Sequence, residues 1–194
     1  MLISANRSVG IFCGAAEFDI HPAYLDMARK FGAALGSRGL GLVCGASSPG
    51  LVGAVADAAY NSGAKVTSII PLSLLEKSMP EMAPGEIFVV KSIHHRRVLM
   101  HRLSDGFVAL PGGYGTIGEL LEAISTRLLG LHQKPVVALN FRGFYDPLGE
   151  LVDHVAREGF ISTAGRNAIV VASDVDEALD VLVQRCSCAD RDSY

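Results

Sequence analysis

Residues 103–129 read LSDGFVALPGGYGTIGELLEAISTRLL. A short apolar run, Phe107 to Leu110, stops at Pro111. Gly112, Gly113 and Gly115 follow, closed by Thr116. Leu120, Leu121, Ile124 and Leu128 then recur at helical spacing, as if on one inward face. The pattern is a strand, a glycine turn and a helix start. The first amides of a helix lack partners within it and carry partial positive charge, so they attract anions. Glycines let the backbone approach a phosphate with no Cβ between. Two readings of Thr116 stand side by side. It caps the helix, with Glu119 completing a capping box, or its hydroxyl serves a phosphate oxygen.

The flanking sequence repeats the theme. Toward the N-terminus, strands are expected at Ser8 to Cys13, Leu40 to Cys44, Lys65 to Ile70 and Ile87 to Val90. Helices are expected at Pro22 to Arg38, Leu51 to Asn61 and Ser92 to about Leu103. The first helix shows Tyr24, Met27, Ala28, Phe31 and Leu35 on one face and ends at Gly39. Leu72 to Gly85, near Pro71, Pro80 and Pro84, reads as a loop or short helix that covers a site. Toward the C-terminus come a strand at Pro135 to Asn140, a helix at Pro147 to Arg157, a strand at Ala168 to Ala172 and a helix at Asp174 to Arg185.

Alternating strands and helices argue a parallel sheet covered by helices on both faces. The strands are continuous apolar runs, as burial on both sides requires. The expected fold is therefore α/β, a single Rossmann-like domain over residues 1–185, with 186–194 a loose tail. Ligands in such folds bind outside the carboxyl ends of the strands. Glycine-bearing turns follow Cys13, Cys44 and Leu110, and they converge on one crevice if the topology holds. No G-x-G-x-x-G follows the first strand, and no G-x-x-x-x-G-K-[ST] occurs, so one phosphate cradle is implied.

The bulk numbers narrow the class. The chain has 194 residues, 49% hydrophobic, with a formal net charge of −3. That size supports a substantial core, and that charge gives no electrostatic case for nucleic acid. No apolar run is long enough to span a bilayer, and the first residues lack a signal-peptide pattern, so a soluble cytoplasmic protein is expected. Cys13 and Cys44 read as small buried hydrophobes. Cys186 and Cys188 lack a second Cys/His pair at zinc spacing, so no metal site is read.

Two groups of residues carry chemistry. The helix from Ser92 sets His94, Arg97 and His101 on one face, with His95, Arg96 and Arg102 beside it. It is either a solvated basic helix or a charged wall beside the glycine turn, where an arginine fork grips a phosphate or a base edge. Glu119 and Glu122 share the face of the next helix. Either both are exposed, or one holds ribose hydroxyls while the other faces the anomeric carbon.

Pro111 to Glu119, PGGYGTIGE, resembles the P-G-G-x-G-T-x-x-E motif of the LOG ("Lonely guy") family of cytokinin-activating phosphoribohydrolases, often mislabelled lysine decarboxylases. Ile93 to Arg97, IHHRR, resembles that family's M-H-x-R-K motif, and the similarity runs through nearly the whole chain. The resemblance implies hydrolysis of the N-glycosidic bond of a nucleoside 5′-monophosphate to free base and ribose 5-phosphate, with no cofactor. It implies Arg96 and Glu119 as the catalytic pair. It implies Gly112, Gly113, Tyr114, Gly115 and Thr116 as the phosphate cradle, with Arg97 and Ser125 as further substrate contacts; Glu122, on the face it shares with Glu119, and Gly45, in the turn after the second strand, are expected substrate contacts as well. It also implies a homodimer or larger assembly with sites near the subunit interface.

The chain departs from the family pattern at Gly45-Ala46-Ser47, where a glycine run is usual, and at Ile93, Arg97 and Gly118. A non-catalytic carrier of a nucleotide or of molybdenum cofactor, on the same fold, is the alternative. Such a carrier keeps the glycine turn but has no need of Arg96 and Glu119 together. A lysine decarboxylase needs a Schiff-base lysine in a pyridoxal phosphate pocket, and no lysine here sits in such a context.

Overall fold

In the computed structural model, which describes residues 7–15, 20–45, 50–77 and 83–189, the described strands form one parallel sheet of seven. The strands are β1 (Ser8–Phe12), β2 (Gly41–Gly45), β3 (Val66–Pro71), β4 (Glu86–Val90), β5 (Gly106–Ala109), β6 (Val136–Leu139) and β7 (Val170–Ala172). Their order across the sheet is β4-β3-β2-β1-β5-β6-β7. Chain direction therefore reverses its march at β1, which pairs with β2 on one side and β5 on the other. A crevice opens at such a switch point because the connections leaving the two central strands part to opposite faces.

The longer helices are α1 (Pro22–Ser37), α2 (Gly50–Asn61), α3 (Ile93–Leu103), α4 (Tyr114–Leu128), α5 (Asp146–Arg157) and α7 (Val175–Ala189), with a single turn, α6 (Thr163–Arg166), between the last two. One apolar core joins α1, α2 and α7 to the sheet through residues such as Phe31, Leu35, Val55 and Leu179. The other lies under α3 and α4 and includes Phe12, Met100, Phe107 and Leu120. The central strands β1, β2, β3, β5 and β6 are buried almost throughout, which is why each reads as an unbroken apolar run.

Local signals set several boundaries. His21 caps α1 by accepting from the Ala23 amide at 3.2 Å, Pro22 opens the helix, and Gly39 lies beyond its end at φ +67°. Ser92 caps α3, accepting from the His95 amide.

The structure also corrects the sequence reading. Leu72–Lys77 is a 3₁₀ helix, while the rest of the expected covering segment, 78–82, lies outside the described residues. Phe141–Gly143 and α6 are short helical turns that the sequence reading left unassigned. α7 continues to Ala189, into the expected loose tail, and residues 190–194 lie outside the described set. The expected apolar face of α4 is rotated. Thr116, Glu119, Leu120 and Ala123 turn inward, whereas Leu121 and Leu128 are exposed. The cause is the cavity described next, which takes polar side chains from the inner face.

Candidate active site

A cavity of about 570 Å³ opens at the carboxyl ends of β1 and β5. Its floor is the glycine turn. Gly113 is the N-cap of α4, and the first amide bonded back into the helix is that of Ile117, to the Gly113 carbonyl at 3.1 Å. The amides of Tyr114, Gly115 and Thr116 precede that bond and have no intrahelical acceptor. Thr116 is therefore three residues inside the helix, and no side chain caps the start. The capping-box reading is set aside, and the free helix end supports the anion reading.

The floor tolerates no side chain at Gly112. A Cβ there would strike the Thr116 hydroxyl and come within 2.7 Å of the Gly14 amide. At Gly113 and Gly115 a Cβ would meet nothing within 4 Å, so those positions face open space. The Gly14 amide donates to the Pro111 carbonyl at 3.1 Å, and the Gly14 carbonyl accepts from Leu51 at the start of α2 at 3.0 Å. Two of the three expected turns thus lock together around one hollow. For the third, Gly45 adjoins the hollow, while Ala46 and Ser47 lie outside the described residues.

Arg96 and Arg97 of α3 and Glu119 of α4 form one wall. Arg96 Nη2 stands 3.5 Å from Glu119 Oε1. Arg97 Nη1 stands 3.3 Å from Glu122 Oε2, at a half-exposed edge. The Arg96 guanidinium lies directly over the Gly45 Cα, in the space where a Cβ would be. The Nε atoms of both arginines are buried without a hydrogen-bond partner. Burial pushes the Glu119 carboxyl above its ordinary pKa, against the pull of Arg96 and then Arg97, while Glu122 pushes it further up.

The opposite wall is apolar and aromatic, with Ile20, Tyr24, Leu51 and Phe144. Cys13 also reaches the cavity, so it is not the wholly buried hydrophobe expected, while Cys44 is buried beneath. Burial raises the thiol pKa of both, to about 11 for Cys44.

Of the expected site residues, Arg96, Arg97, Gly112, Gly113, Gly115, Thr116 and Glu119 line the cavity, and Gly45 supports it. Glu122 reaches it only through Arg97. Tyr114 is 95% exposed and Ser125 is exposed farther along α4, and neither lines the hollow. His94 is exposed. His101 leaves the expected charged wall and packs on Phe107, with ring centroids 4.6 Å apart, beside His132. Among the described residues, no group of three or more His, Cys, Asp or Glu side chains is arranged to hold a metal ion.

A parallel sheet with its hollow at the strand-order reversal, helix amides on the floor and an arginine–carboxylate pair on the wall defines a Rossmann-like α/β protein, with its site where that architecture takes nucleotides. The family described as "Possible lysine decarboxylase" matches residues 52–182. A cytokinin riboside 5′-monophosphate phosphoribohydrolase of Arabidopsis thaliana is 40% identical over 188 residues, 97% of this chain and 87% of that protein. A probable enzyme of the same name from Oryza sativa subsp. japonica is 41% identical over 94% of this chain and 72% of the relative. The chain belongs to this family, the LOG family. Among solved structures, a Moco carrier protein from Chlamydomonas reinhardtii superposes with a TM-score of 0.69 at 20% identity, over 94% of this chain and 99% of that one. That likeness shows the shared fold.

Proposed function

We propose that the protein hydrolyses the N-glycosidic bond of a nucleoside 5′-monophosphate, a cytokinin riboside 5′-monophosphate or an AMP-like nucleotide, giving the free base and ribose 5-phosphate. The observation that carries this reading is the Arg96–Glu119 pair, set beside a floor of unpaired helix amides. The names of the plant relatives support the substrate class.

The chemistry follows from the arrangement. The 5′-phosphate sits on the amides of residues 114–116 and the Thr116 hydroxyl, and Arg97 adds positive charge at the edge. Holding this remote group spends binding energy on placing the sugar. The anomeric carbon then lies beside Glu119. Breaking the C1′–N bond builds positive charge on the ribose, which a carboxylate stabilises, as in glycoside hydrolysis. The electron pair of the broken bond goes to the base nitrogen, and Arg96 meets the charge that develops there. Water oriented by Glu119 adds to C1′, and its proton ends on the released base. Glu122 holds Arg97, and Gly45 leaves the space that Arg96 occupies.

We also read the working form as a homodimer in the cytoplasm. Leu121 and Leu128 lie two turns apart on the outer face of α4, with the small Ser125 between them and Gly118 one turn before Leu121. α5 keeps no residue fully buried, and Leu129, Leu131 and Phe160 are 72%, 72% and 83% exposed. An apolar surface of this kind suits a second copy. The free thiols Cys13 and Cys44 suit a reducing compartment.

The test is incubation with a panel of nucleoside 5′-monophosphates, with released bases separated by chromatography. Release of a base with equimolar ribose 5-phosphate supports the reading. Tight nucleotide binding with no product over hours favours a carrier.

A further inference from the structure

The glycine turn hangs from a carbonyl that the sheet does not satisfy. Pairing between β5 and β6 ends at Ala109 with Ala138. The Leu110 amide still bonds across to the Phe12 carbonyl at 2.9 Å. The Leu110 carbonyl is instead taken by a side chain, the Tyr145 hydroxyl, at 2.8 Å. Next comes Pro111, which has no amide hydrogen, and its carbonyl is held by the Gly14 amide. The peptides that lead into Gly112 are thus fixed at two points, and one of them is a phenol.

That phenol is itself held firmly. Tyr145 is 4% exposed. Its amide donates to Asn140 Oδ1 at 2.7 Å, and Asn140 Nδ2 donates to Asp146 Oδ1 at 2.7 Å. Its ring packs edge-on against Phe144, with centroids 5.0 Å apart. The loop reaches this geometry through Arg142 at φ +58° and Gly143 at φ +73°. For Arg142, a residue other than glycine, the left-handed conformation is strained. Burial keeps the phenol protonated, so it remains a donor.

We propose that Tyr145 is a positioning residue for the anion cradle: through the Leu110 carbonyl it orients the Pro111–Gly112 segment and so aims the first amides of α4 at a phosphate. The proposal rests on the reading of that turn as a phosphate site. Tyr145 touches neither phosphate nor sugar. Its ring fills the core, and its hydroxyl sets the turn. The two roles separate cleanly in Tyr145→Phe, which removes only the hydroxyl.

The experiment compares wild-type protein with Tyr145→Phe and with Asn140→Ala, which withdraws the support of the Tyr145 amide. Ribose 5-phosphate and inorganic phosphate are titrated calorimetrically, and kinetics are measured on AMP and adenosine. Losing one aimed hydrogen bond weakens ribose 5-phosphate binding about five- to tenfold in Tyr145→Phe. KM for AMP rises by a similar factor with kcat nearly unchanged, and any rate on adenosine stays the same. Asn140→Ala moves in the same direction and carries the test if the phenylalanine variant fails to fold. Unchanged Kd and KM, with only a lower Tm, overturn the proposal and leave Tyr145 a packing residue. If the wild type binds ribose 5-phosphate but cleaves no nucleotide, the hydrolase reading fails and the Kd comparison alone decides the role of Tyr145. A wild type that binds neither phosphate compound overturns the proposal.

Discussion

The Arg96 guanidinium and the Glu119 carboxylate face each other across 3.5 Å, with the carboxylate almost wholly buried in the cavity wall. That separation is longer than a charge-assisted hydrogen bond, which closes to about 2.8 Å. The two groups therefore attract without being tied together, and each keeps capacity for a substrate atom. Arg96 also keeps a buried, unpartnered Nε.

Glu119→Gln keeps the shape and removes the charge. Turnover of a nucleoside monophosphate falls about a thousandfold or more, while ribose 5-phosphate binding persists. Stability changes the other way. Because the folded pKa of Glu119 is raised, its ionisation disfavours the native state. The glutamine variant matches wild type below the ordinary carboxylate pKa. It gains in Tm as pH rises through the folded pKa, and keeps that gain above it. Thermal melts from pH 4 to pH 8 read this directly, and an equal Tm at every pH contradicts it.

Three glycines give three different results. Gly112→Ala places a Cβ against the Thr116 hydroxyl and near the Gly14 amide, so both stability and phosphate binding fall. Gly45→Ala places one in the space of the Arg96 guanidinium, so kcat falls more than phosphate affinity. Gly113→Ala meets no protein atom within 4 Å and folds normally, but under the proposed phosphate placement its methyl obstructs the anion. Its Tm matches wild type and its KM rises. Melting curves beside steady-state kinetics separate the three.

The pair His101 and His132 adds a pH-dependent contribution to stability away from the site. His132 Nε2 lies 3.1 Å from the Thr126 hydroxyl, and burial followed by the charges of His101 and Lys134 pushes its pKa down to about 4. Burial lowers His101 as well. A lowered folded pKa means that the unfolded chain takes up protons first. The contribution of these two histidines is full above about pH 6.5. It is lost as pH falls from there toward 4. His132→Gln flattens this slope in urea denaturation measured across the range. A slope equal to wild type contradicts the assignment.

The apolar outer surface gives a prediction about assembly. Leu128→Arg charges the exposed face of α4 without entering the core. The protein shifts from dimer to monomer in analytical ultracentrifugation, with little change in Tm measured on the monomer. A monomeric wild type removes the homodimer reading.

Much of this was legible in the sequence, and the exceptions have a common cause. The strand, turn and helix of 103–129 are local, so apolar runs and glycines reveal them. Arg96 and Glu119 stand out because motif residues at fixed spacing surround them. The face of α4 misleads because periodicity assumes that leucines point inward. Here the inner face yields Thr116 and Glu119 to the cavity and leaves Leu121 and Leu128 outside. Phe144 and Tyr145 carried little local signal, and Tyr24 read only as part of the apolar face of the first helix. The loop after β6 brings the Tyr145 hydroxyl to the Leu110 carbonyl, just past β5, and α1 brings Tyr24 edge-on to Phe144. The one available hint was the turn sequence Asn140 to Asp146, whose polar ends bracket three aromatics. His101 sat in a basic run, and only the packing of β5 shows that its ring rests against the core residue Phe107.

The most direct test of the central claim compares kcat/KM for a nucleoside 5′-monophosphate with that for the matching nucleoside. If helix amides grip the phosphate and so place C1′ beside Glu119, the monophosphate is favoured by about a hundredfold or more, since charge-assisted bonds to one anion are at stake. Equal values for the two substrates would contradict the account.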